Sequence, residues 1–173
     1  MSAGEVPGTR PGVVVVMGVS GSGKTVTARL LADRLGVAYA DADDMHPPAN
    51  IAKMSAGVPL DDGDREPWLA TVGTWLRDHD TEGGVIACSA LARRYRDRLR
   101  TAAPELFFLL LTADRAVLLD RLARREHHFM PAALLDSQLG TLEPLAPEER
   151  GAIVRTDRPP DAVVERAAQF LGR

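Results

Sequence analysis

A buried strand, a glycine-rich turn and a helix follow one another near the start of this chain, and they constrain its fold most strongly. The continuous apolar run Val13–Met17 is typical of a strand that is covered on both faces of a parallel sheet. It leads into residues 18–25, which fit the pattern G-x-x-x-x-G-K-[ST], and a helix is predicted over 25–35. A strand that enters a helix through such a turn indicates an α/β fold with right-handed crossovers.

The glycines of this turn give it a specific chemistry. They allow successive backbone N–H groups to point inward around a phosphate, next to the positive N-terminus of the helix. Lys24 adds a charge for the β- and γ-phosphates of a nucleotide, and the Thr25 hydroxyl can hold Mg²⁺. The alternative is a glycine-rich turn with an incidental lysine, but the pattern is complete and lies between a strand and a helix. We therefore predict nucleotide binding by Gly18, Val19, Ser20, Gly21, Ser22, Gly23, Lys24 and Thr25.

Four further apolar segments alternate with helical patterns along the chain. They predict strands at 37–40, 85–88, 106–111 and 152–155. Helices are predicted at 49–56, from 64 or 65 onward with Pro67 in the first turn, at 91–101 with Ser89 as the cap, at 114–125, at 131–140 and from 160 onward. This alternation predicts a five-stranded parallel sheet with helices on both faces. Residues 43–67 and 126–145 are too irregular for plain crossovers, so we expect them to wall a site at the carboxyl ends of the strands.

Charge and composition exclude several classes of protein. Lys and Arg number 21 and Asp and Glu number 24, so the net charge of −3 is unlike that of a dedicated nucleic-acid binder. The longest apolar runs are far shorter than the roughly 20 residues of a membrane span, and the N-terminus lacks the pattern of a signal peptide. The single cysteine, Cys88, cannot form an internal disulfide, which favours a reducing compartment. We therefore expect a cytoplasmic protein with a flexible tail at 1–12, one domain at 13–173, and no nucleic-acid or membrane partner.

Two aspartates follow the second predicted strand and would lie close to the glycine-rich loop. They are Asp41 and Asp43, two residues apart. Phosphoryl transfer to a hydroxyl uses one carboxylate to hold Mg²⁺ and its waters and another to accept the proton. The strands at 85–88 and 106–111 run into Ser89 and Thr112, so Asp41 is the Mg²⁺ candidate by elimination. A solvated acidic turn is the alternative, and the spacing alone does not decide between the two.

Two groups of basic residues are also candidates for binding anions. Arg121, Arg124 and Arg125 precede His127 and His128 at a predicted helix end, where they either close over phosphates as a lid or simply complement the helix dipole. The adjacent histidines have no third ligand at a suitable spacing, which argues against zinc. Five more arginines lie on the helix 91–101, and most of them are expected to form a solvated face. One or two at the start of that helix could reach an anionic substrate.

A longer pattern begins at Asp41 and extends over most of the remaining chain. Its first block is Asp41-Ala-Asp-Asp-Met-His46-Pro, then Asn50-Ile-Ala-Lys53-Met, then Gly57-Val-Pro-Leu-Asp-Asp-Gly-Asp64-Arg65-Glu-Pro-Trp68-Leu. It continues with Cys88-Ser89-Ala90-Leu91, Tyr95-Arg96-Asp97, Arg100, Arg121-Leu122, Arg125, His128-Phe129, Ser137-Gln138 and Thr141-Leu142-Glu143. The whole pattern resembles that of the gluconokinases, which are small P-loop kinases related to shikimate and nucleoside-monophosphate kinases. The first block is much more specific than the phosphate loop, which many unrelated NTPases share.

The resemblance implies a fold and an activity. The activity is the ATP- and Mg²⁺-dependent phosphorylation of D-gluconate at its 6-hydroxyl, which gives 6-phospho-D-gluconate and ADP. The fold is that of a P-loop NTPase similar to nucleoside-monophosphate kinases, with a substrate-binding insertion at about 43–67, a mobile lid at about 121–145, and a homodimeric assembly. A kinase for another small hydroxy acid such as shikimate and a non-catalytic nucleotide-binding switch are the alternatives. A GTPase switch would normally carry an N-K-x-D segment, which this sequence lacks.

The resemblance also implies roles for individual residues. Lys24 and Asp43 would be catalytic, with Asp43 orienting and deprotonating the acceptor hydroxyl, and Asp41 would join Thr25 at the metal. Arg121 and Arg125 would contact the nucleotide from the lid. The substrate side would be lined by Asp43, His46, Asn50, Lys53, Arg65, Ser89, Arg96 and His128. The candidate cations for the gluconate carboxylate are, in order of preference, Arg96, Arg65 and Lys53.

Overall fold

The centre of the protein is a parallel sheet of five strands. The computed structural model describes residues 12–125 and 132–173. The strands are β1 Val13–Met17, β2 Ala38–Asp41, β3 Gly84–Ala87, β4 Phe107–Thr112 and β5 Gly151–Arg155, and they lie in the order β2-β3-β1-β4-β5. All four neighbouring pairs are parallel, which confirms the predicted sheet.

Seven α-helices connect and cover these strands within the described ranges. They are α1 Lys24–Leu35, α2 Pro48–Ser55, α3 Asp62–Asp78, α4 Arg93–Ala102, α5 Arg115–Ala123, α6 Ala132–Thr141 and α7 Pro160–Phe170. A 3₁₀ turn, Ala42–Met45, joins β2 to the segment before α2. None of the helices in the described ranges has the length and apolarity to cross a bilayer. The predicted tail before Gly12 and the histidines at 127 and 128 lie outside the described residues.

The two faces of the sheet are covered by different helices. Alternate residues of a strand point to opposite faces, so Val14 and Val16 pack with Leu31 of α1 and Val163 of α7. Val13, Val15 and Met17 pack on the other side in a cluster that includes Leu69, Val72 and Leu76 of α3 and Leu99 of α4. Burial on both faces explains why β1 is a continuous apolar run.

The strand order indicates where along the carboxyl ends of the strands a ligand would bind. The chain enters β3 beside β1 and then crosses to β4 on the other side of β1, so the order reverses at β1. Ligands of such sheets bind beyond the carboxyl ends of the strands at this point. The turn after β1, the 3₁₀ turn after β2 and the loop after β3 all meet there.

Helix α3 begins at Asp62, two or three residues before the predicted start. Asp61 is the N-cap, and its carboxylate accepts the backbone N–H of Asp64 at 2.7 Å. The Asp64 carboxylate in turn accepts the N–H of Asp61 at 3.0 Å, which completes a capping box. Pro67 therefore lies inside the helix and not in its first turn, so the prediction from the proline was wrong at this boundary.

Helix α4 also differs from the prediction at its N-terminus. It begins at Arg93, and Ser89 does not cap it. The N-cap is Ala92, which has no polar side chain, and the N–H of Arg93 is instead bound by the carboxylate of Glu143. The backbone N–H of Glu143 also donates to the carbonyl of Leu91 at 2.8 Å. A residue far away in sequence therefore supplies the cap that a local residue was expected to supply.

Candidate active site

The turn after β1 has a backbone that requires glycine at its first position. Gly18 has a φ of +150°, and a Cβ there would lie 2.7 Å from the Ser22 Oγ and 2.9 Å from the carbonyl oxygen of Leu111. Gly23, directly before α1, has a φ of +94°, in the left-handed region that other residues avoid. The turn can therefore wrap tightly and bring its N–H groups to the N-terminus of α1, where an anion is stabilised.

Lys24 extends back across this turn. Its Nζ donates to the carbonyl oxygens of Gly18 at 2.9 Å and Val19 at 3.0 Å. Desolvation lowers the pKa of the Lys24 ammonium, and the nearby carboxylate of Asp43 opposes that effect. The Lys24 ammonium therefore lies against the loop. There it can exchange its hydrogen bonds to two carbonyls for hydrogen bonds to a phosphate.

Thr25 and Asp41 come together although they lie in different elements. Thr25 is in the first turn of α1 and Asp41 ends β2, and the Thr25 Oγ1 donates to the Asp41 Oδ2 at 3.3 Å. Mg²⁺ prefers such hard oxygen ligands and takes one or two from the protein, with phosphates and water as the rest. No three His, Cys, Asp or Glu side chains among the described residues are grouped to hold a metal alone. The residues therefore fit a Mg²⁺ ion that is shared with a nucleotide.

Asp43 lies two residues after Asp41 in the 3₁₀ turn. Its backbone N–H donates to the Asp41 Oδ1 at 2.9 Å, which fixes the position of the turn. The protein around the Asp43 carboxyl desolvates it and raises its pKa, and the negative charge of Asp41 raises that pKa further. Lys24 and His46 act in the opposite direction. A carboxylate with a raised pKa in this place is suited to accepting a proton.

His46 and Arg65 form a polar wall near the two aspartates. The His46 ring stacks on Trp68, with centroids 4.4 Å apart and planes 11° apart, and the Trp68 indole N–H donates to the carbonyl of Ala42 at 2.6 Å. The Arg65 Nη1 donates to the carbonyl of Leu60 at 2.7 Å and to the Tyr95 hydroxyl at 3.0 Å. Trp68 therefore anchors the His46 ring, and Leu60 and Tyr95 anchor the Arg65 guanidinium.

The remaining predicted substrate-side residues have different surroundings. Lys53 is already paired with Asp64, with the Lys53 Nζ 2.7 Å from the Asp64 Oδ2. Asn50 is buried, and its side-chain amide contacts the His46 ring and the backbone carbonyl of Asp64. Ser89 is half-buried beside the phosphate loop, and its carbonyl accepts the Gly18 N–H at 3.4 Å. Its hydroxyl makes no hydrogen bond within the described residues and is available to a ligand.

Arg96 is not available to a ligand, so its prediction as the preferred substrate cation was wrong. Its side chain is 0% exposed. The Arg96 Nε and Nη2 bind the carboxylate of Glu149 at 2.7 and 3.0 Å, and the remaining N–H groups donate to backbone carbonyls. Those carbonyls belong to Ala90, Leu91 and Pro144. All five donors of the guanidinium are thus used within the protein, which leaves none for a carboxylate of the substrate.

The pair of Arg96 and Glu149 holds the loop after β3. Ala90 in that loop has a positive φ of 44°, which is unusual for a residue other than glycine. Burial alone would raise the pKa of Glu149, but the hydrogen bonds from Arg96 and other donors lower it to about 2. The stabilisation from this carboxylate is therefore complete above pH 4.5 and is lost as the pH falls toward 2.

We expect Arg96→Met to lower the free energy of unfolding by about 3–5 kcal/mol, because it leaves the Glu149 carboxylate buried without its main partner. The double variant Arg96→Met/Glu149→Gln removes the unpaired charge and should recover part of that loss. Urea denaturation at neutral pH measures both values. If the Arg96→Met protein were fully stable and only its KM for the acceptor were raised, Arg96 would again be the preferred cation for the substrate.

The two predicted lid arginines, Arg121 and Arg125, differ in their contacts with the phosphate loop. The Arg121 Nη1 donates to the Gly21 carbonyl at 3.2 Å and to the Thr156 hydroxyl at 2.9 Å, so this side chain connects the loop to the end of β5. Arg125 is exposed, and its charge is near enough to lower the pKa of Lys24. His128 lies outside the described residues.

Gln138 is a contact of the phosphate loop to which sequence reasoning assigned no role. Its Oε1 accepts the backbone N–H of Ser20 at 2.8 Å. Leu135, one turn earlier in α6, belongs to the same apolar cluster as Val19 of the loop. Helix α6 thus touches the loop twice, and no periodicity or spacing could have indicated this, because 118 residues separate Ser20 from Gln138.

Comparisons with known proteins agree with this geometry. A family model described as an AAA domain matches residues 14–130. The chain is 49% identical over 160 residues to a gluconokinase of Gluconobacter oxydans, which covers 91% of this chain and 90% of that relative. It is 41% identical over 162 residues to the thermoresistant gluconokinase of Escherichia coli, with 92% of this chain and 93% of that protein covered.

Solved structures show the same relationship. A gluconokinase from Sinorhizobium meliloti superposes with a TM-score of 0.86 at 46% identity, over 94% of this chain and 93% of that one. The APS kinase CysC of Mycobacterium tuberculosis, in complex with AMPPNP and APS, superposes with a TM-score of 0.64 at 18% identity, over 95% of this chain and 99% of that one. The likeness to the APS kinase concerns the fold alone, whereas nearly half of the aligned residues are identical in the Sinorhizobium meliloti gluconokinase.

Proposed function

Because this chain belongs to the gluconokinase family, we propose that it transfers the γ-phosphoryl group of ATP to the 6-hydroxyl of D-gluconate, giving 6-phospho-D-gluconate and ADP. One structural observation supports the proposal in addition to the sequence relationship. The phosphate loop with Lys24, the oxygens of Thr25 and Asp41, and the carboxyl of Asp43 meet at one edge of the sheet, beside the wall of His46 and Arg65.

The phosphate loop would hold the triphosphate of ATP. Its N–H groups and the Lys24 ammonium would surround the β- and γ-phosphates, and Lys24 would exchange the Gly18 and Val19 carbonyls for phosphate oxygens. Thr25 and Asp41 would hold Mg²⁺, which supplies charge neutralisation to the phosphates when bound. Lys24 and the N–H groups of the loop would thus place positive charge where negative charge moves during transfer, and such stabilisation is usually the largest contribution to catalysis.

Asp43 would act on the acceptor. Its carboxylate would accept the proton of the 6-hydroxyl while that oxygen forms a bond to the γ-phosphorus and the bond to the β-phosphate oxygen breaks. The products are then the phosphate monoester, ADP and a protonated Asp43, which releases its proton to solvent. The raised pKa of Asp43 supports this role, since it strengthens the base.

Arg65 is the cation that we assign to the gluconate carboxylate. Its Nη1 is held by Leu60 and Tyr95, whereas its Nε and Nη2 make no hydrogen bond within the described residues. That free edge of the guanidinium can bind a carboxylate with two parallel hydrogen bonds. Arg96 is excluded by its burial, and Lys53 is already neutralised by Asp64. His46 and Ser89 would contact hydroxyl groups of the acceptor.

We also propose the domain, insertion and lid boundaries that the family resemblance implies. A single kinase domain would span 13–173, with the substrate-binding insertion at about 43–67 and a lid at about 121–145 that brings Arg125 and His128 over the nucleotide. Closure of such a lid would keep water from the γ-phosphate. We also propose a homodimer and a cytoplasmic location for the enzyme, and sedimentation of the purified chain would test the homodimer.

An assay of ADP release with D-gluconate and MgATP tests the proposal. We expect turnover by the natural protein, and we expect Arg65→Met to raise the KM for gluconate about 10- to 100-fold, because charge-assisted hydrogen bonds are lost. The KM for ATP should stay nearly constant. Arg98→Met is the matched control, since Arg98 is half-exposed and paired with Glu66 on the surface. Nucleotide binding without gluconate-dependent ADP release would contradict the proposed activity.

A further inference from the structure

His46 is held by two neighbours that together fix its ring. The ring stacks on Trp68, and the Trp68 indole is itself fixed by its hydrogen bond to Ala42. The second neighbour is Asn50, four residues later in α2, whose Nδ2 lies 3.2 Å from the His46 Nδ1. The Asn50 side chain is buried, so its orientation is set by the groups around it.

The orientation of the Asn50 amide follows from its second partner. The Asn50 Nδ2 lies 2.8 Å from the backbone carbonyl oxygen of Asp64, which can only accept a hydrogen bond. The atom in that position must therefore be the NH₂ group and not the amide oxygen. One of its two hydrogens goes to Asp64, and the other points to the His46 Nδ1.

The position of the imidazole proton follows in turn. A nitrogen that accepts a hydrogen bond from an amide N–H carries a lone pair, so the His46 Nδ1 is unprotonated. The single proton of the neutral ring is then on Nε2. We propose that Asn50 is a positioning residue that fixes His46 as the Nε2–H tautomer, so that His46 donates a hydrogen bond to an oxygen of the polyhydroxy-acid acceptor. The substrate part of this inference rests on the proposed function, whereas the tautomer does not.

The surroundings of His46 support the neutral ring. Burial lowers the pKa of His46, and the positive charge of Arg65 lowers it further, whereas the negative charge of Asp43 opposes them. The Asn50 amide adds a donor that an Nδ1–H group of the imidazolium would repel. His46 is thus kept from acting as a second base beside Asp43, and it gives the acceptor site a directed donor.

Nitrogen NMR of the labelled protein tests the tautomer without any substrate. We expect the His46 Nε2 to show the shift of a protonated ring nitrogen and the Nδ1 that of an unprotonated one at neutral pH. His46→Gln, which lacks these signals, gives the assignment. In Asn50→Asp the new carboxylate should attract a proton to Nδ1, which moves that signal to the protonated position. An Nδ1–H tautomer in the natural protein would overturn the inference.

A double-mutant cycle tests whether Asn50 acts through His46, and it does not depend on the folding of Asn50→Asp. We expect Asn50→Ala to raise the KM for gluconate about 5- to 10-fold, as the loss of one hydrogen bond implies, with the KM for ATP unchanged. His46→Phe keeps a ring on Trp68 but has no donor, and adding Asn50→Ala to it should cause little further change. Ile51→Ala, at an exposed neighbouring position, is the matched control. Additive losses in the double variant would show that Asn50 acts independently and would overturn the inference.

Discussion

Lys24→Ala is expected to lower kcat about 10²–10³-fold while the protein stays folded. Among the described residues, the Lys24 ammonium donates only to the two carbonyls of its own loop, so its removal deprives the γ-phosphate of a charge and leaves the core intact. Removing one preorganised donor to developing charge costs about this much in other enzymes. Steady-state kinetics with saturating gluconate and MgATP measures the loss, and thermal unfolding verifies the fold.

The control for Lys24 is a charged residue of the same helix. Arg34 lies in the last turn of α1 and pairs with Glu165 at the surface, so Arg34→Ala should leave kcat nearly unchanged. If Lys24→Ala kept near-normal turnover, the assignment of residues 18–25 as the ATP site would be wrong.

Asp43→Asn is expected to lower kcat about 10²–10⁴-fold, which is typical of the loss of a general base, and to change the KM for ATP little. The amide keeps the shape of the side chain but cannot take the proton of the acceptor hydroxyl. Because the backbone N–H of residue 43 makes the hydrogen bond to Asp41, the position of the turn is preserved in this variant. Initial rates over a range of gluconate and ATP concentrations separate the two effects.

Asp41→Asn gives the contrast to this prediction. The Asp41 carboxylate accepts a hydrogen bond from the Thr25 hydroxyl and would hold Mg²⁺. The loss of this carboxylate should therefore change the Mg²⁺ concentration that is needed for half-maximal activity. Asp44→Asn, at an exposed position of the same turn, should have little effect. Equal losses confined to KM in the Asp41 and Asp43 variants would refute this division of roles.

The sheet and the phosphate loop could be predicted because their determinants are local. A strand buried on both faces must be apolar throughout, which Val13–Met17 and Phe107–Thr112 nearly are. The loop requires glycine where the backbone adopts positive φ, so its pattern is specific in sequence as well as in structure. Helix α3 begins two or three residues earlier than Pro67 predicts, because its N-terminus is set by Asp61 and Asp64, which have the spacing of a capping box.

The contacts that could not be predicted join residues far apart in the chain. On an amphipathic helix, Arg96 has the same local pattern whether it faces solvent, a ligand or a buried carboxylate. Only the fold brings Glu149 to it, 53 residues later. The cap of α4 by Glu143 and the contact of Gln138 with Ser20 are of the same kind. The family resemblance placed Arg65 among the candidates, and the burial of Arg96 and the pairing of Lys53 make Arg65 the cation that we propose.

The acceptor specificity is tested by comparing kcat/KM for D-gluconate, D-glucose and shikimate under saturating MgATP. Glucose also offers a primary 6-hydroxyl, but it is a neutral ring and would leave the free edge of Arg65 without its carboxylate partner. Sites built around a polar group reject analogues that lack it by up to about 10⁴–10⁵-fold. We therefore expect gluconate to exceed both alternatives by several orders of magnitude. Comparable values for gluconate and glucose, or a preference for shikimate, would contradict the account.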